Sequence, residues 1–347
     1  MAEQRRKRIT IQDIAREAEV DKAVVSQVVN GRSCIHASVE KIKVVRSLIN
    51  HYDYTPLGSA RSLATRRNHQ LAFLLSNVTE GLFANPAFGQ MFSGVVHACK
   101  ERGYLCQADF CDFLAAKEIV LPETLRRRNI DGCILTGHIS QAAFRKIAQL
   151  EIPAVVLAGE YIQDKMPSVS WVSRDEYVRL LDIITSFGHR SIWLEGSNYP
   201  TKLANHPAVK EKSLQFKQLS LRENNEILTG EYWARHYLKI SPAQRPSLVY
   251  GCDQFCCSFL SALAQAGIHC PNDVSVLCSS ETEMARCFNP PLTTFSQNYF
   301  DMGCRGGAFL IEILEKGISL NESLHMSPNY ATKGYFTERA SLRHLSH

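Results

Sequence analysis

One stretch near the amino terminus, Ile9 to Ala64, limits what this 347-residue chain can fold into more than any other. It opens ITIQDIAREAEVDKAVVSQVVNGR, in which apolar residues recur at helical spacing in two short runs separated by Glu19-Val20. Thr10 is placed to cap the first helix, with Asp13 three residues on as reciprocal partner. Ile11, Ile14, Ala15 and Ala18 then share one face. Asp21 can cap the second helix, which turns Val24, Val25, Val28 and Val29 inward and stops at Asn30-Gly31. Ser38 opens a third, with Ile42, Val45, Leu48 and Ile49 inward. Two short helices joined so tightly fit a helix-turn-helix.

Charge obeys the same boundary. Residues 1–67 hold 13 Lys and Arg against 7 Asp and Glu, a net +6, while the other 280 residues hold 26 against 27. The basic excess therefore lies wholly in the head, where a phosphate-facing surface needs it. In a helix-turn-helix the start of the second helix enters the major groove. Lys22 can donate to a guanine edge, Gln27 can pair bidentately with adenine, and Ala23 can touch a thymine methyl. Thr10, Ser26 and Asn30 suit phosphate contacts.

The signature T-I-x-D-I-A-x-x-A-x-V, V-S-x-V-V-N-G, Y-x-P and A-R-S-L, spread over residues 9–67, resembles the DNA-binding head of the lactose-repressor (LacI/GalR) family. The resemblance implies a head over 1–57 and a hinge helix over 58–67. It implies that two copies of the hinge pair in the minor groove, with Leu63 as a wedge and Ala60 and Arg61 beside it. Gln27 stands where the family usually has Arg, so the operator should differ from the common one. Asp21 replaces a Ser-like residue, and the loop Arg32–Ala37 is about two residues longer than the pattern.

Beyond residue 67 short apolar runs alternate with helical stretches. Gln70–Asn77, Tyr104–Asp109, Gly132–Thr136, Ala154–Ala158, Ser191–Glu195, Leu248–Gly251, Ser275–Cys278 and Thr293–Ser296 read as strands. Pro86–Gly103, Ala115–Arg128, Gln141–Leu150 and Asp175–Phe187 read as helices. Repeated βα units imply parallel sheets covered on both faces. RRRNIDGCIL, FGHRSIWLEG, ALAQAGIHCPNDVSV and NPPLTTFSQNYFDMG resemble the effector domain of the same family. The fold class expected is thus an all-α head with hinge helix, joined to an α/β two-lobed body like a periplasmic binding protein. The N-lobe would take 68–168 and 299–327, the C-lobe 169–298 and 328–347.

The resemblance places a small ligand between the lobes, at the carboxyl ends of the strands. Phe88, Asp253 and Ser280 match positions near that cleft. Ser280 stands where the family has Asp, and no Arg in 196–222 matches the family's; Lys202, Lys210 or Lys212 could substitute. Phe88 reads equally as a core residue, and Asp253 as a helix cap.

Other chemistries find less support. The twelve cysteines form no CxxC and read as small buried residues, not a metal site. His189-Arg190 reads as a turn before a strand. With no nucleophile elbow, P-loop or paired carboxylates, neither an enzyme nor a cofactor is expected. No run of about 18 apolar residues occurs, and the basic amino terminus lacks a signal-peptide core, so a cytoplasmic protein is expected. The reading is a sequence-specific transcriptional regulator, a repressor, that binds a double-stranded, near-palindromic operator as a homodimer and answers a small molecule such as a sugar or related metabolite. Its rivals are a regulator of the same fold without small-molecule sensing and a small-molecule binding module with a vestigial head.

Overall fold

The computed structural model describes residues 9–29, 37–54, 67–76, 86–113, 119–137, 139–158, 165–170, 174–196, 203–220, 222 and 225–345. Asn30 and the hinge residues Ala60, Arg61 and Leu63 lie outside the described residues. The chain divides into two compact units, 1–69 and 70–347.

The first unit holds α1 (Ile11–Glu17), α2 (Lys22–Val29) and α3 (Val39–His51). Each begins at a side chain that satisfies an otherwise orphaned amide. At α1 the Thr10 hydroxyl accepts from the Asp13 amide (3.3 Å), and the Asp13 carboxylate accepts from the Thr10 amide (3.0 Å). Asp21 accepts from the Ala23 amide at 2.8 Å, and Ser38 from the Lys41 amide at 3.3 Å. Ile14, Val25 and Val45, one from each helix, are fully buried together. Lys41 donates to the Ala18 carbonyl at 3.1 Å, a cation at the negative end of α1.

The second unit is built on two sheets. In the first, β1 (Gln70–Ser76), β2 (Leu105–Cys111), β3 (Gly132–Thr136), β4 (Ala154–Leu157) and β5 (Ser168–Val169) lie in the order β2-β1-β3-β4-β5, all parallel. Residues of alternate parity fill both faces. Leu71, Phe73 and Leu75 pack under α4 (Pro86–Glu101) and α12 (Tyr299–Lys316). Ala72 and Leu74 pack under α6 (Gln141–Ala148) with Leu125 of the short α5 (Glu123–Arg126). Burial on both sides is why these strands read as unbroken apolar runs.

In the second sheet β6 (Ser191–Glu195), β7 (Gln215–Leu219), β8 (Leu248–Gly251), β9 (Ser275–Cys278), β10 (Thr293–Gln297) and β11 (Gly334–Thr337) run in the order β11-β10-β9-β8-β6-β7, with β11 antiparallel. Its faces are covered by α7 (Arg174–Ser186) on one side, and by α9 (Glu226–Lys239) and α10 (Asp253–Gln265) on the other. Smaller helices are α8 (Pro207–Glu211), α11 (Glu283–Cys287) and α13 (Leu320–Met326).

The chain passes between the sheets three times: after β5 into α7, after β10 into α12, and after residue 330 into β11. The last crossing is held from α7. Glu176, 6% exposed, accepts from the Gly334 amide at 3.0 Å, and Arg179 donates to the Gly334 carbonyl at 3.0 Å and to Glu176 at 2.8 Å.

Several elements differ from the sequence reading. The helix expected over Ala115–Arg128 is only Glu123–Arg126 within the described residues, because Pro122 starts it while Ile119 and Leu121 enter the core in extended chain. β7, β11 and α9 were not foreseen; β7 carries four polar or half-exposed residues among its five and gives no apolar run. His189, just ahead of β6, is fully buried. Its Nε2 faces the Arg343 carbonyl at 3.1 Å and its Nδ1 the Ser247 hydroxyl at 3.0 Å, so it pins the carboxyl-terminal segment. Burial lowers its pKa to about 4, which keeps the imidazole neutral.

Helices α4 and α12 approach until backbone meets backbone. A Cβ on Gly303 would strike the Met91 carbonyl oxygen, and one on Gly94 the Phe300 carbonyl. Gly303→Ala should therefore destabilise the body by about 1–3 kcal/mol through overpacking. Gly89→Ala, with open space around it in the same pair of helices, should not. Thermal unfolding of the two variants against the parent checks the contrast.

Candidate functional site

In the head, α2 stands with its first turn open. Lys22 and Ala23 are exposed, and Ser26 and Gln27 half-buried one turn on. Thr10 is exposed at the start of α1, its hydroxyl donating to Asp13 at 2.6 Å. Ala23 and Gln27 line a shallow hollow with Asp21, Val24, Ser38 and Lys41. Lys41 is committed to Ala18 and Glu19, so Lys22 is the cation α2 itself brings to this face. The Asp21 carboxylate is likewise turned to the Ala23 amide, which directs its charge into the helix end.

In the body, Asp253 and Ser280 come together at the carboxyl ends of β8 and β9. Asp253 is not the cap of α10; Cys252 holds that position, and Asp253 is the first helical residue, 4% exposed. Its carboxylate accepts from the Thr282 hydroxyl at 2.6 Å. Ser280 is 7% exposed and lies beside the phenol of Tyr299. Tyr299 begins α12, which packs on the first sheet, so the two halves of the body meet here. Burial, with Cys252, Asp253 and Cys278 around it, raises the phenol pKa. Phe88, in the first turn of α4, is half-buried against the same apolar cluster that supports Tyr299.

Two residues of this group escaped the sequence reading. Tyr299 follows a strand and looks like ordinary helix sequence; only the chain's return to the other lobe gives it a role. Glu195 ends β6 and accepts from the Cys252 amide at 3.2 Å. A charged residue closing an apolar strand, SIWLE, was the available signal. Of the lysines offered as anion partners, Lys212 is spent on Asp182 at 2.5 Å, Lys210 is exposed on α8, and Lys202 lies outside the described residues. The groups acting on Glu195 and Tyr299 among the described residues are neutral or acidic. Such a wall suits a ligand that donates hydrogen bonds, and repels an anion.

Burial pushes the Glu195 carboxyl up to about 7, the Cys252 amide opposes the shift, and Glu226 adds to it. Its folded-state pKa stands above the unfolded value, so its contribution is complete at low pH and is lost as pH rises through about 7. Between pH 5.5 and 8 the parent should lose more thermal stability than Glu195→Gln, measured as melting temperature against pH.

A family model for the periplasmic binding protein-like domain matches residues 184–334. Catabolite control protein A of Streptococcus mutans is 25% identical over 315 residues, which cover 89% of this chain and 92% of the relative. The ribose operon repressor of Escherichia coli is 24% identical over 346 residues, 94% of this chain and 99% of the relative. Among solved structures, the Lac repressor dimer bound to operator and the anti-inducer ONPF superposes with a TM-score of 0.73 at 18% identity, over 97% of this chain and all of that one. A complex of the transcriptional regulator CelR with cellobiose gives 0.59 at 17%, over 96% of this chain and all of that one. These structures share the fold: a helical head on a two-sheet body. The full-length relatives are regulators rather than enzymes, and no helix among the described residues is long and apolar enough to cross a membrane. The full-length relatives that the chain matches are transcriptional regulators of the lactose-repressor (LacI/GalR) family.

Proposed function

We propose that the chain is a cytoplasmic repressor that binds a near-palindromic operator as a homodimer, with affinity set by a small ligand between the two sheets of its body. The observation that carries this reading is α2: its first turn presents Lys22 and Ala23 to solvent on a head that forms its own compact unit. Lys22 would donate to a guanine edge or phosphate, Gln27 pair with adenine, and Ala23 meet a thymine methyl. Thr10, Ser26 and Asn30 would hold the backbone, and a paired hinge would set Leu63, with Ala60 and Arg61, into the minor groove. The Lac repressor of the matching structure is itself a dimer on operator, which supports the same use here.

The ligand would lie against Asp253, Ser280, Glu195 and Tyr299 on one side and Phe88 on the other. The CelR structure holds cellobiose, and a neutral polyhydroxyl compound suits the groups around Glu195 and Tyr299, which among the described residues are neutral or acidic. Closure of the two sheets around it would change the spacing of the two hinges, and with it operator affinity. One observation favours the rival in which sensing is lost: the Asp253 carboxylate already accepts from Thr282. A thermal-shift screen with neutral sugars, sugar phosphates and nucleobases separates the two. Stabilisation by a neutral sugar supports the sensor; no response from any class leaves the constitutive repressor.

The DNA reading is tested by selecting bound sites from random duplexes at moderate salt, and recovery of no preferred sequence would sink it. Gln27→Arg should shift preference toward guanine at one position of each half-site, by about 1–3 kcal/mol. Leu63→Ala should weaken binding and reduce DNA bending in a circular-permutation gel assay while leaving the melting temperature unchanged. Retained bending would remove the wedge.

A further inference from the structure

A second recess lies in the first sheet's half of the body, away from Asp253 and Ser280. It occupies about 260 Å³ at the amino-terminal ends of β4 and β5. Its floor and walls are apolar: Phe144 and Ala148 of α6, Ala154 of β4, Met166 before β5, Ile313 of α12 and Leu320 of α13. Leu320 is 59% exposed, so the recess is not closed by its own side chains. Two opposite charges, Glu151 and Lys165, stand in its lining. Both are exposed, and among the described residues neither forms an ion pair with the other or with a third group.

We propose that this recess binds a small zwitterion with an apolar side chain, a free amino acid of the branched aliphatic or aromatic kind. The apolar body would fill the space between Phe144, Met166, Ile313 and Leu320, where burial of apolar surface drives binding. The carboxylate would face Lys165 and the ammonium Glu151. Two opposite charges at one apolar mouth are what a zwitterion needs, whereas a simple acid or amine would leave one of them facing a like charge or nothing.

The walls of the recess also lead to the crossings between the sheets. β5 runs directly into the first crossing, and α13 into the turn before the third. They are tied together where the Ser168 amide donates to the Ser327 hydroxyl oxygen at 3.0 Å and the Thr332 amide to the Ser170 carbonyl at 3.1 Å. An occupant would therefore stiffen the segments about which the sheets move, as a second input beside the cleft. The binding itself does not depend on the DNA reading.

The test uses the full chain in thermal-shift and titration calorimetry with L-leucine, L-phenylalanine, isovalerate, isoamylamine and glycine. Leucine or phenylalanine at saturation should raise the melting temperature by about 2–5 °C, a shift of the size expected for ligand near 100 times its Kd. Isovalerate, isoamylamine and glycine should do markedly less. Ala148→Phe, a change at an exposed helix position that fills the recess, should abolish the response, and Lys165→Glu should weaken it at least tenfold with the apolar walls intact. Absence of any shift with both apolar amino acids overturns the proposal. So does a shift that survives Ala148→Phe, or equal shifts from isovalerate and leucine.

Discussion

The contact between α4 and α12 is the constraint on which the body depends. Gly94 and Gly303 let two long helices touch at backbone distance, and Gly307 makes room for Ala98 of the facing helix. α12 arrives there only after the chain has built five strands of the second sheet. Its glycines therefore draw the chain back, and each half of the body is made of segments distant in sequence. Three crossings follow from that single return. A pair of halves joined by three short strands of chain can rotate about them but cannot slide freely, which makes rotation the accessible motion. The Glu176–Arg179 grip on Gly334 gives one of those crossings a fixed partner on α7, so a rotation that displaces the third crossing must carry α7 with it or break the grip.

The groups at the strand ends show why ligand class cannot be inferred from family membership. Ser280 gives this wall a hydroxyl at the place where the family resemblance implies a carboxylate. The remaining carboxylates are Asp253, tied to Thr282, and Glu195, whose burial holds it near half-protonation at neutral pH. A ligand gains little from displacing an internal hydrogen bond unless it supplies a better one. Glu195 is the group with the most to gain, since a donor placed against it replaces solvation that burial has removed.

Sequence made the head legible almost residue by residue, because its caps, inward faces and turn are local: Thr10 with Asp13, Asp21 with Ala23 and Ser38 with Lys41 each act within three residues. The central strands were equally plain, since burial on both faces removes polar residues from them. Two edge strands were not: β7 and β11 expose one side and lose the apolar signature, and α9 was hidden in a stretch without a motif. At the cleft, Asp253 and Ser280 came from matching positions, while Tyr299 and Glu195 needed the topology. Their roles rest on neighbours dozens of residues away, Glu195 on Cys252 and Tyr299 on Asp253 and Cys278. His189 likewise depends on distance: its two nitrogens each meet a partner far along the chain, Ser247 and Arg343.

Charge decides how the two units divide their labour. The head and its lead-in carry the whole positive excess, and the remaining 280 residues sum to within one charge of neutral. Attraction to phosphate falls with distance over a Debye length of about 8 Å at physiological salt, so the body adds almost nothing to it. On the proposed reading, a ligand bound in the body cannot tune operator affinity by altering the electrostatic pull. It would be left with geometry: the separation and relative orientation at which the two basic heads of the proposed dimer would meet one duplex, which a rotation about the three crossings would change.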